Sequence, residues 1–312
     1  MKRQIILFLT GIVMAIVISV GAVVVNSPNR VIANEVAQSS GVTGVTNDLR
    51  SLSTRFDRPQ ALQGWQEFQI QGWVPKWEPP KVENGNLVLR PKSSGWFEDN
   101  TAGHLYREVT GDFIVTTRIK VTGTSTPVPQ RSFSLAGLFI REPRSFTKAN
   151  WTPKNENWLF FSVGTAFPAG RSQFEIKSTY NSLSTLKISE AKEGWTRLRI
   201  ARSGELFTLL YQEDGSREWQ VLDQFIRPDL PATLNVGLTA YADYDSVAPI
   251  YPDYQRYNEQ GAPTQNPDLI AYIESIDFRR PSTPRFPIAT LDPQISFDPK
   301  VSETRMRELT AE

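Results

Sequence analysis

The chain of 312 residues contains no cysteine and a single histidine, His104. The lack of cysteine excludes disulfide bonds, thiolate catalysis and zinc sites with sulfur ligands. A single histidine excludes metal sites that need several imidazoles. The 34 Lys and Arg residues nearly balance the 33 Asp and Glu residues, and no basic run follows Lys2 and Arg3. The sequence therefore predicts no nucleic-acid partner.

The N-terminus carries a long apolar run without charge, at residues 5 to 25. Such a run is long enough to cross a bilayer, whereas a cleaved signal peptide has an apolar core of about 7 to 15 residues. Pro28 would break the helix, and the small residue Ala33 fits a signal-peptide cleavage site, so cleavage after Ala33 is the alternative. Residues 1 to 33 are thus a signal peptide or a membrane anchor. Either one predicts an extracytoplasmic chain, anchored through an N-terminal hydrophobic helix or secreted or periplasmic after cleavage.

Composition divides the rest of the chain into three parts. Residues 34 to 61 are polar and lack an apolar period, which predicts a tether. Residues 62 to 280 contain short apolar runs separated by turn residues, which predicts one folded domain. Residues 281 to 312 form a Pro-rich tail, in which a short helix is expected between Pro299 and Leu309.

The folded part shows the two-residue period of half-buried strands. Between residues 113 and 121, Phe113, Val115 and Ile119 fall on one face, and polar side chains such as Lys120 fall on the other. Similar runs follow, which predicts an all-β fold with two antiparallel sheets packed as a sandwich. The alternation predicts a core that includes Phe113, Val115, Ile119, Leu138, Ile140, Leu198, Ile200, Phe207, Val236 and Leu238.

An ordered series of short motifs runs through the same part of the chain. They are Gly85-Asn86-Leu87, Gly95-Trp96-Phe97, His104-Leu105-Tyr106, Val109-Thr110-Gly111-Asp112-Phe113, Ala136-Gly137-Leu138-Phe139-Ile140-Arg141, Asn157-Trp158, Gly194-Trp195-Thr196-Arg197-Leu198-Arg199-Ile200, Arg202-Ser203-Gly204, Asp214-Gly215 with Trp219, and Val236-Gly237-Leu238. In these motifs the chain resembles bacterial domains of unknown function with a concanavalin A-like, or laminin G-like, jelly-roll fold, related to the sugar-binding domain attached to β-xylosidases. The resemblance implies a jelly-roll sandwich and, by analogy, sugar binding.

Catalytic carboxylates of the glucanase type are absent from the sequence. Retaining glucanases of this architecture carry Glu-x-Asp-x-(x)-Glu on one strand, because alternation then points both Glu side chains into one groove. The nearest approaches, Glu98-Asp99 and Glu274 with Asp277, lack the second Glu. The sequence thus favours a non-catalytic module, with a glycoside hydrolase or lyase on the same fold as the alternative.

Several residues of the strands are candidate ligand contacts. Trp96 and Trp158 could stack on the apolar face of a sugar ring, although Trp also fills sandwich cores. His104 could bind a ligand or act as an acid-base group, against the alternative of a polar residue entering a strand. Arg141 and Glu175 could contact sugar hydroxyls or form an ion pair.

The connection at residues 241 to 268 is unusually long and rich in tyrosine. Long loops are usually functional or disordered, and Tyr supplies rigid contact area, so Tyr241, Tyr244, Tyr251 and Tyr254 are candidate binding residues. Asp243 and Asp245 offer oxygen ligands that could hold calcium, although simple solvation explains them as well. The expected partner is a glycan or a cell-envelope polymer; the alternative is a structural or assembly protein that docks a partner protein through this loop.

Overall fold

The computed structural model describes residues 48 to 282, 291, 292, 295 and 298 to 312. The predicted signal or anchor segment at residues 5 to 25 and the site at Ala33 lie outside the described residues. Within the described part of the chain, no helix is long and apolar enough to cross a membrane.

The described residues form a β-sandwich with short helices at its ends. The strands are β1 (Thr54–Arg55), β2 (Gln66–Glu67), β3 (Lys81–Glu83), β4 (Asn86–Leu89), β5 (Gly103–Thr110), β6 (Phe113–Thr122), β7 (Ser134–Arg141), β8 (Trp158–Thr165), β9 (Gln173–Tyr180), β10 (Leu183–Glu190), β11 (Trp195–Ser203), β12 (Leu206–Glu213), β13 (Trp219–Ile226), β14 (Thr233–Tyr241), β15 (Ile270–Arg279) and β16 (Lys300–Val301). The α-helices are α1 (Tyr244–Val247), α2 (Tyr254–Gln260) and α3 (Glu303–Thr310), and 3-10 helices lie at Leu49–Leu52, Pro59–Leu62 and Ala248–Ile250.

All strand pairs within the two sheets are antiparallel. The seven-stranded sheet has the order β10-β9-β8-β7-β14-β5-β2. The nine-stranded sheet has the order β16-β13-β12-β11-β6-β15-β4-β3, with β1 paired to β15. The predicted two-sheet antiparallel sandwich is therefore confirmed.

Local sequence explains the strands and their turns. In β6, Phe113, Val115 and Ile119 are fully buried while Lys120 is partly exposed, as the alternation predicts. Asn84 and Gly85 join β3 to β4, with φ angles of 49° and 76°. Two successive residues with positive φ form the turn that matches the twist of a tight hairpin. Asn and Gly adopt positive φ most readily.

The main core lies between the two sheets. Each of the ten residues that alternation predicts to be buried is in it with no exposed surface. Burying a side chain of this size contributes about 1.5 to 3 kcal/mol.

The central strands of the seven-stranded sheet are buried on both faces. All eight residues of β7 and all eight of β8 are buried. A second apolar cluster, which includes Trp96, Phe139, Trp158, Phe160 and Tyr241, lies on the face turned away from the main core. We call this face the covered face. Residues 91 to 102, with Trp96, are the covering segment, and residues 241 to 268 are the tyrosine segment.

The packed domain begins upstream of the predicted boundary at residue 62. Phe56 is fully buried and Leu49 is 7% exposed, and both belong to the main core. The polar composition of the predicted tether hid these two anchors. At the other end of the chain, β16 pairs with β13, and α3 overlaps the range between Pro299 and Leu309 in which a helix was expected, ending one residue beyond it.

We expect Phe56→Ala to lower the free energy of unfolding by about 3 to 5 kcal/mol, because it leaves a cavity in the main core. The matched substitution Asp57→Ala, at an exposed neighbour, should change it by less than about 0.5 kcal/mol. Denaturant unfolding of both variants measures the difference. Equal, small effects would mean that residues 48 to 61 are a tether after all.

Candidate functional site

Most ligand contacts predicted from the sequence lie on the covered face. Strand pairing sets His104, Thr239, Gly137, Ser162 and Glu175 side by side across five strands. All five are buried. Of these, the predicted residues His104 and Glu175 lie in one row, on strands β5 and β9, in the interior of the domain.

Trp96 and Trp158 are packing residues of this face. Neither has exposed surface. The ring centroid of Trp96 lies 4.7 Å from that of Phe139 and 6.1 Å from that of Trp158. Trp96 Nε1 also donates a hydrogen bond to Thr239 Oγ1 at 3.0 Å. A ring without exposed surface has no face for a sugar, so the predicted stacking at these two positions does not occur in this conformation.

His104 is also enclosed by aromatic rings. Its ring centroid lies 5.0 Å from that of Tyr106 and 4.8 Å from that of Phe139. Burial, with a smaller contribution from the positive charge of Arg141, holds the pKa of His104 well below its ordinary value. The imidazole is therefore neutral near pH 7 and closed to solvent, unlike the predicted acid-base group.

Arg141 forms a buried ion pair, and its partner is Glu156. The guanidinium donates from Nε and Nη2 to the two Glu156 oxygens, both at 2.8 Å, and Arg144 Nη1 donates to Oε1 at 2.7 Å. Burial alone would raise the pKa of Glu156, but the two arginines outweigh it and the pKa lies below its ordinary value. This group of charges holds the loop between β7 and β8. Because Nε and Nη2 of Arg141 both donate to Glu156, these two atoms are not available to a ligand hydroxyl.

Glu175 pairs with Lys177 and Tyr241 on the covered face. Glu175 Oε1 lies 3.1 Å from Lys177 Nζ and accepts a hydrogen bond from the Tyr241 hydroxyl at 2.7 Å. Lys177 Nζ also donates to the Trp96 carbonyl at 3.1 Å. Burial lowers the pKa of Lys177 and raises that of Tyr241. These contacts tie the covering segment to the sheet, which is a structural role.

The tyrosine segment is a folded cap, in which the five tyrosines lie at different depths. Tyr241 and Tyr257 are buried, Tyr244 and Tyr254 are half-buried, and Tyr251 is 38% exposed. The Tyr257 hydroxyl donates to the Thr101 carbonyl and accepts from the Gly95 amide, both at 2.9 Å. The two outer hydroxyls, of Tyr251 and Tyr254, both donate to Glu98 Oε2. Only the outer part of this segment remains available to a ligand.

Asp243 and Asp245 differ in their surroundings. The Asp243 carboxylate is fully buried, accepts from Ser93 Oγ at 2.6 Å and pairs with Arg131 at 3.0 Å. Asp245 is exposed in the first turn of α1. Among the residues that the structure describes, no group of three or more His, Cys, Asp or Glu side chains could hold a metal ion. The placement of these two residues therefore does not support the predicted calcium site.

A solvent-accessible groove runs along the β2 edge of the seven-stranded sheet. It has a volume of about 430 Å³ and is formed by residues 67 to 77 and 101 to 103. We call it the edge groove. Trp77, 2% exposed, packs against Gly103, where a Cβ would overlap the indole. Trp77 Nε1 donates to Glu67 Oε1 at 2.6 Å, which fixes both side chains in the groove.

Aromatic rings support one wall of the edge groove. The half-buried ring of Trp73 lies 5.7 Å from the centroids of both Phe146 and Trp151. Phe68 is also half-buried and lies 5.6 Å from Trp96. The wall therefore continues into the packed covered face. This site was not predicted from the sequence. The feature that could have indicated it is a group of three Trp residues, at 65, 73 and 77, within thirteen positions. Two of them, Trp73 and Trp77, line the groove.

Lys76 lies at one end of the edge groove as a buried amine. It is 7% exposed, and Nζ donates to the carbonyls of Tyr257 at 2.6 Å and Asn258 at 3.2 Å near the end of α2. Burial, with a smaller contribution from the charge of Lys92, lowers the pKa of Lys76 from 10.5 to about 7. The amine thus joins the groove to the tyrosine segment and changes charge near neutral pH.

We expect the free energy of unfolding to rise between pH 7 and pH 10, because the unfolded chain then keeps a proton on Lys76 that the folded chain has released. In Lys76→Met this rise should be smaller, whereas Lys81→Met, at an exposed lysine, should keep the native slope. Denaturant unfolding across this pH range provides the test. An unchanged slope in Lys76→Met would contradict it.

We expect Tyr257→Phe to lower the free energy of unfolding by about 1 to 3 kcal/mol, because it leaves buried backbone groups without their partner. Tyr251→Phe should have an effect below about 0.5 kcal/mol, since its hydroxyl is at the surface. Thermal or denaturant melts of the two variants compare them. Similar losses would mean that the whole tyrosine segment is equally packed.

No protein-family model and no curated protein sequence matches the chain. Three solved structures are similar to it in fold. A functionally unknown protein from Saccharomyces cerevisiae has 13% identity and a TM-score of 0.48, over 71% of this chain and 99% of that one. The GH43 BlXynB protein from Bacillus licheniformis has 12% identity and a TM-score of 0.49, over 78% of this chain and 40% of that one. A lectin from Bauhinia forficata in complex with GalNAc has 14% identity and a TM-score of 0.45, over 73% and 96%.

Proposed function

We propose that the chain is a non-catalytic glycan-binding module, located outside the cytoplasm, that takes a saccharide in the edge groove. The observation that carries the proposal is a groove of about 430 Å³ lined by aromatic rings and by polar side chains. Ligand sites typically measure about 300 to 1,000 Å³ and combine apolar walls with a few polar groups.

The chemistry of the lining supports a sugar ligand. A pyranose has an apolar C–H face, which the ring of Trp73 can cover, and a rim of hydroxyls. The exposed side chains of Gln69 and Gln71 supply donors and acceptors for such hydroxyls. Trp73 is held by its neighbours before a ligand arrives, so binding would freeze few side-chain rotations.

The carboxylates favour binding over hydrolysis. Glycoside hydrolysis needs two carboxyl groups on opposite sides of the bond. Among the described residues that line the groove, Glu67 is the only acidic one, and Trp77 already donates to its Oε1. Glu156 and Glu175 are fully buried and paired with cations. A hydrolase or lyase would have to recruit a carboxylate from outside the groove.

The packing of the tyrosine segment gives less support to docking of a partner protein. That alternative needs an exposed apolar patch, but Tyr241 and Tyr257 are buried and Tyr251 alone of the five tyrosines is classed as exposed. The proposed location, in the cell envelope or outside the cell, rests on the sequence of residues 5 to 25 and not on the described structure.

We expect the full-length chain to bind at least one polymer in a panel of soluble xylan, β-glucan and galactan, measured by affinity electrophoresis and calorimetry. Trp73→Ala should weaken that binding at least about tenfold, as expected for an aromatic anchor. Tyr180→Ala, which removes a ring that is 55% exposed elsewhere on the surface, is the matched control.

Two results would contradict the proposal. If Trp73→Ala bound as tightly as the native chain, the edge groove would not be the site. If the native chain released reducing ends from the bound polymer, the hydrolase alternative would replace the binding module.

A further inference from the structure

A row of aromatic and basic side chains crosses the outer face of the nine-stranded sheet. Strand pairing sets Trp195 of β11 opposite Lys120 of β6, and Lys120 opposite Tyr272 of β15. In the adjoining row, Arg197 of β11 lies opposite Arg118 of β6. We call these five side chains the cationic ladder.

The ladder faces solvent. Its neighbours along the strands, such as Ile119, Leu198 and Ile273, point into the main core and are fully buried, so alternation turns the ladder outward. Trp195, Lys120 and Tyr272 are partly exposed, and Arg197 is exposed. Helix α3 covers a different part of this sheet, where Leu210, Trp219 and Val221 meet Met306 and Leu309.

Aromatic rings hold the cations in place. Lys120 Nζ lies 5.5 Å from the ring centroid of Trp195 and 5.1 Å from that of Tyr272, and Arg118 Cζ lies 4.5 Å from that of Trp195. Such cation–π contacts stabilise a positive charge beside an aromatic ring. The rings therefore hold Lys120 and Arg118 in position, and both side chains keep their positive charge because the rings are uncharged.

Carboxylates lie near the cations of the ladder, and Asp277 of β15 interacts electrostatically with Arg197. Arg118 contacts the carboxylates of Glu274 and Asp214. Lys120 and Arg197 have no carboxylate at ion-pair distance among the described residues, and Arg197 Nη1 donates to the amide oxygen of Gln212. By contrast, Arg199 on the same strand is paired with Glu312 beneath α3. Two cations of the ladder thus remain available to an anionic ligand.

The spacing of the rings suits a chain of sugars. Adjacent strands lie about 4.8 Å apart, so Trp195 and Tyr272, which are two strands apart, are separated by roughly 10 Å. Rings at this separation can contact alternate residues of an extended saccharide, while Lys120 lies beside the residue between them. A neutral glycan would not use the free cations, and a simple polyanion would not use the rings.

We propose that the cationic ladder is a second binding surface, for an acidic polysaccharide whose uronate carboxylates pair with Lys120 and Arg197. Its sugar rings lie against Trp195 and Tyr272. This surface is separate from the edge groove, because it belongs to the other sheet of the sandwich.

The test measures binding of the full-length chain to polygalacturonate, to neutral galactan and to inorganic polyphosphate at two salt concentrations. The native chain should bind polygalacturonate more tightly than polyphosphate, and binding should weaken as salt screens the carboxylates. Lys120→Gln and Arg197→Gln should each weaken binding to polygalacturonate by about three- to tenfold, since each removes a charged contact. Arg171→Gln, which removes an exposed charge between β8 and β9, should leave it unchanged.

Further variants separate this proposal from its rivals. Trp195→Ala, checked for a native thermal melt, should lose binding to polygalacturonate, and Tyr272→Ala tests the contribution of the other ring if Trp195→Ala does not fold. Equal binding of polyphosphate, unaffected by Trp195→Ala, would mean that the surface recognises charge alone and would overturn the proposal. Loss of polygalacturonate binding in Trp73→Ala, with native binding in Lys120→Gln, would assign the acidic polymer to the edge groove. The proposal would also be overturned if the native chain did not bind polygalacturonate.

Discussion

The burial of the central strands of the seven-stranded sheet on both faces is the constraint on which the rest of the structure depends. One face meets the nine-stranded sheet, and the apolar surface of β7 and β8 on the other face, with Phe139 and Phe160, must also be removed from water. The covering segment and the tyrosine segment do this, and Trp96 fills the space between them and the sheet. The length of the connection between β14 and β15 follows from this requirement.

Many polar side chains of this enclosed face pair with each other, although Trp158 Nε1 and Glu175 Oε2 are buried without a hydrogen-bond partner among the described residues. An isolated buried charge is far too costly to keep, so Glu156 is paired with two arginines, and Glu175 with Lys177 and Tyr241. Removing one member of such a group leaves the other charge unpaired, which is much more destabilising than the pair is stabilising. These groups therefore fix how the covering segment sits on the sheet, and their polarity is no sign of a ligand.

Alternation in the sequence was sufficient to predict the strands and the core, but not the site. It assigns Leu138 to one face and Phe139 to the other, and the structure confirms the buried face. It does not say whether the opposite face meets water, because that depends on residues 91 to 102 and 241 to 268, which are distant in sequence. Trp96 and Trp158 thus read as ligand contacts and proved to be core. Phe56 was not predicted to be buried, because a single apolar residue in a polar stretch forms no repeating pattern of apolar positions.

The central strands of one sheet are enclosed on both faces, and the edge groove and the cationic ladder lie away from them, at an edge and on the other sheet. The edge groove forms where β2 ends, because only Gln66 and Glu67 pair with β5 in this strand. Trp73, in the segment that follows, lines the groove. The outer face of the nine-stranded sheet stays open where α3 ends, and there the exposed positions of β6 and β11 carry Lys120 and Arg197 instead of apolar residues. Both regions combine accessible surface with aromatic rings that contact their neighbours. That combination of exposure, rigidity and mixed polarity is what recognition of a hydroxyl-rich polymer requires.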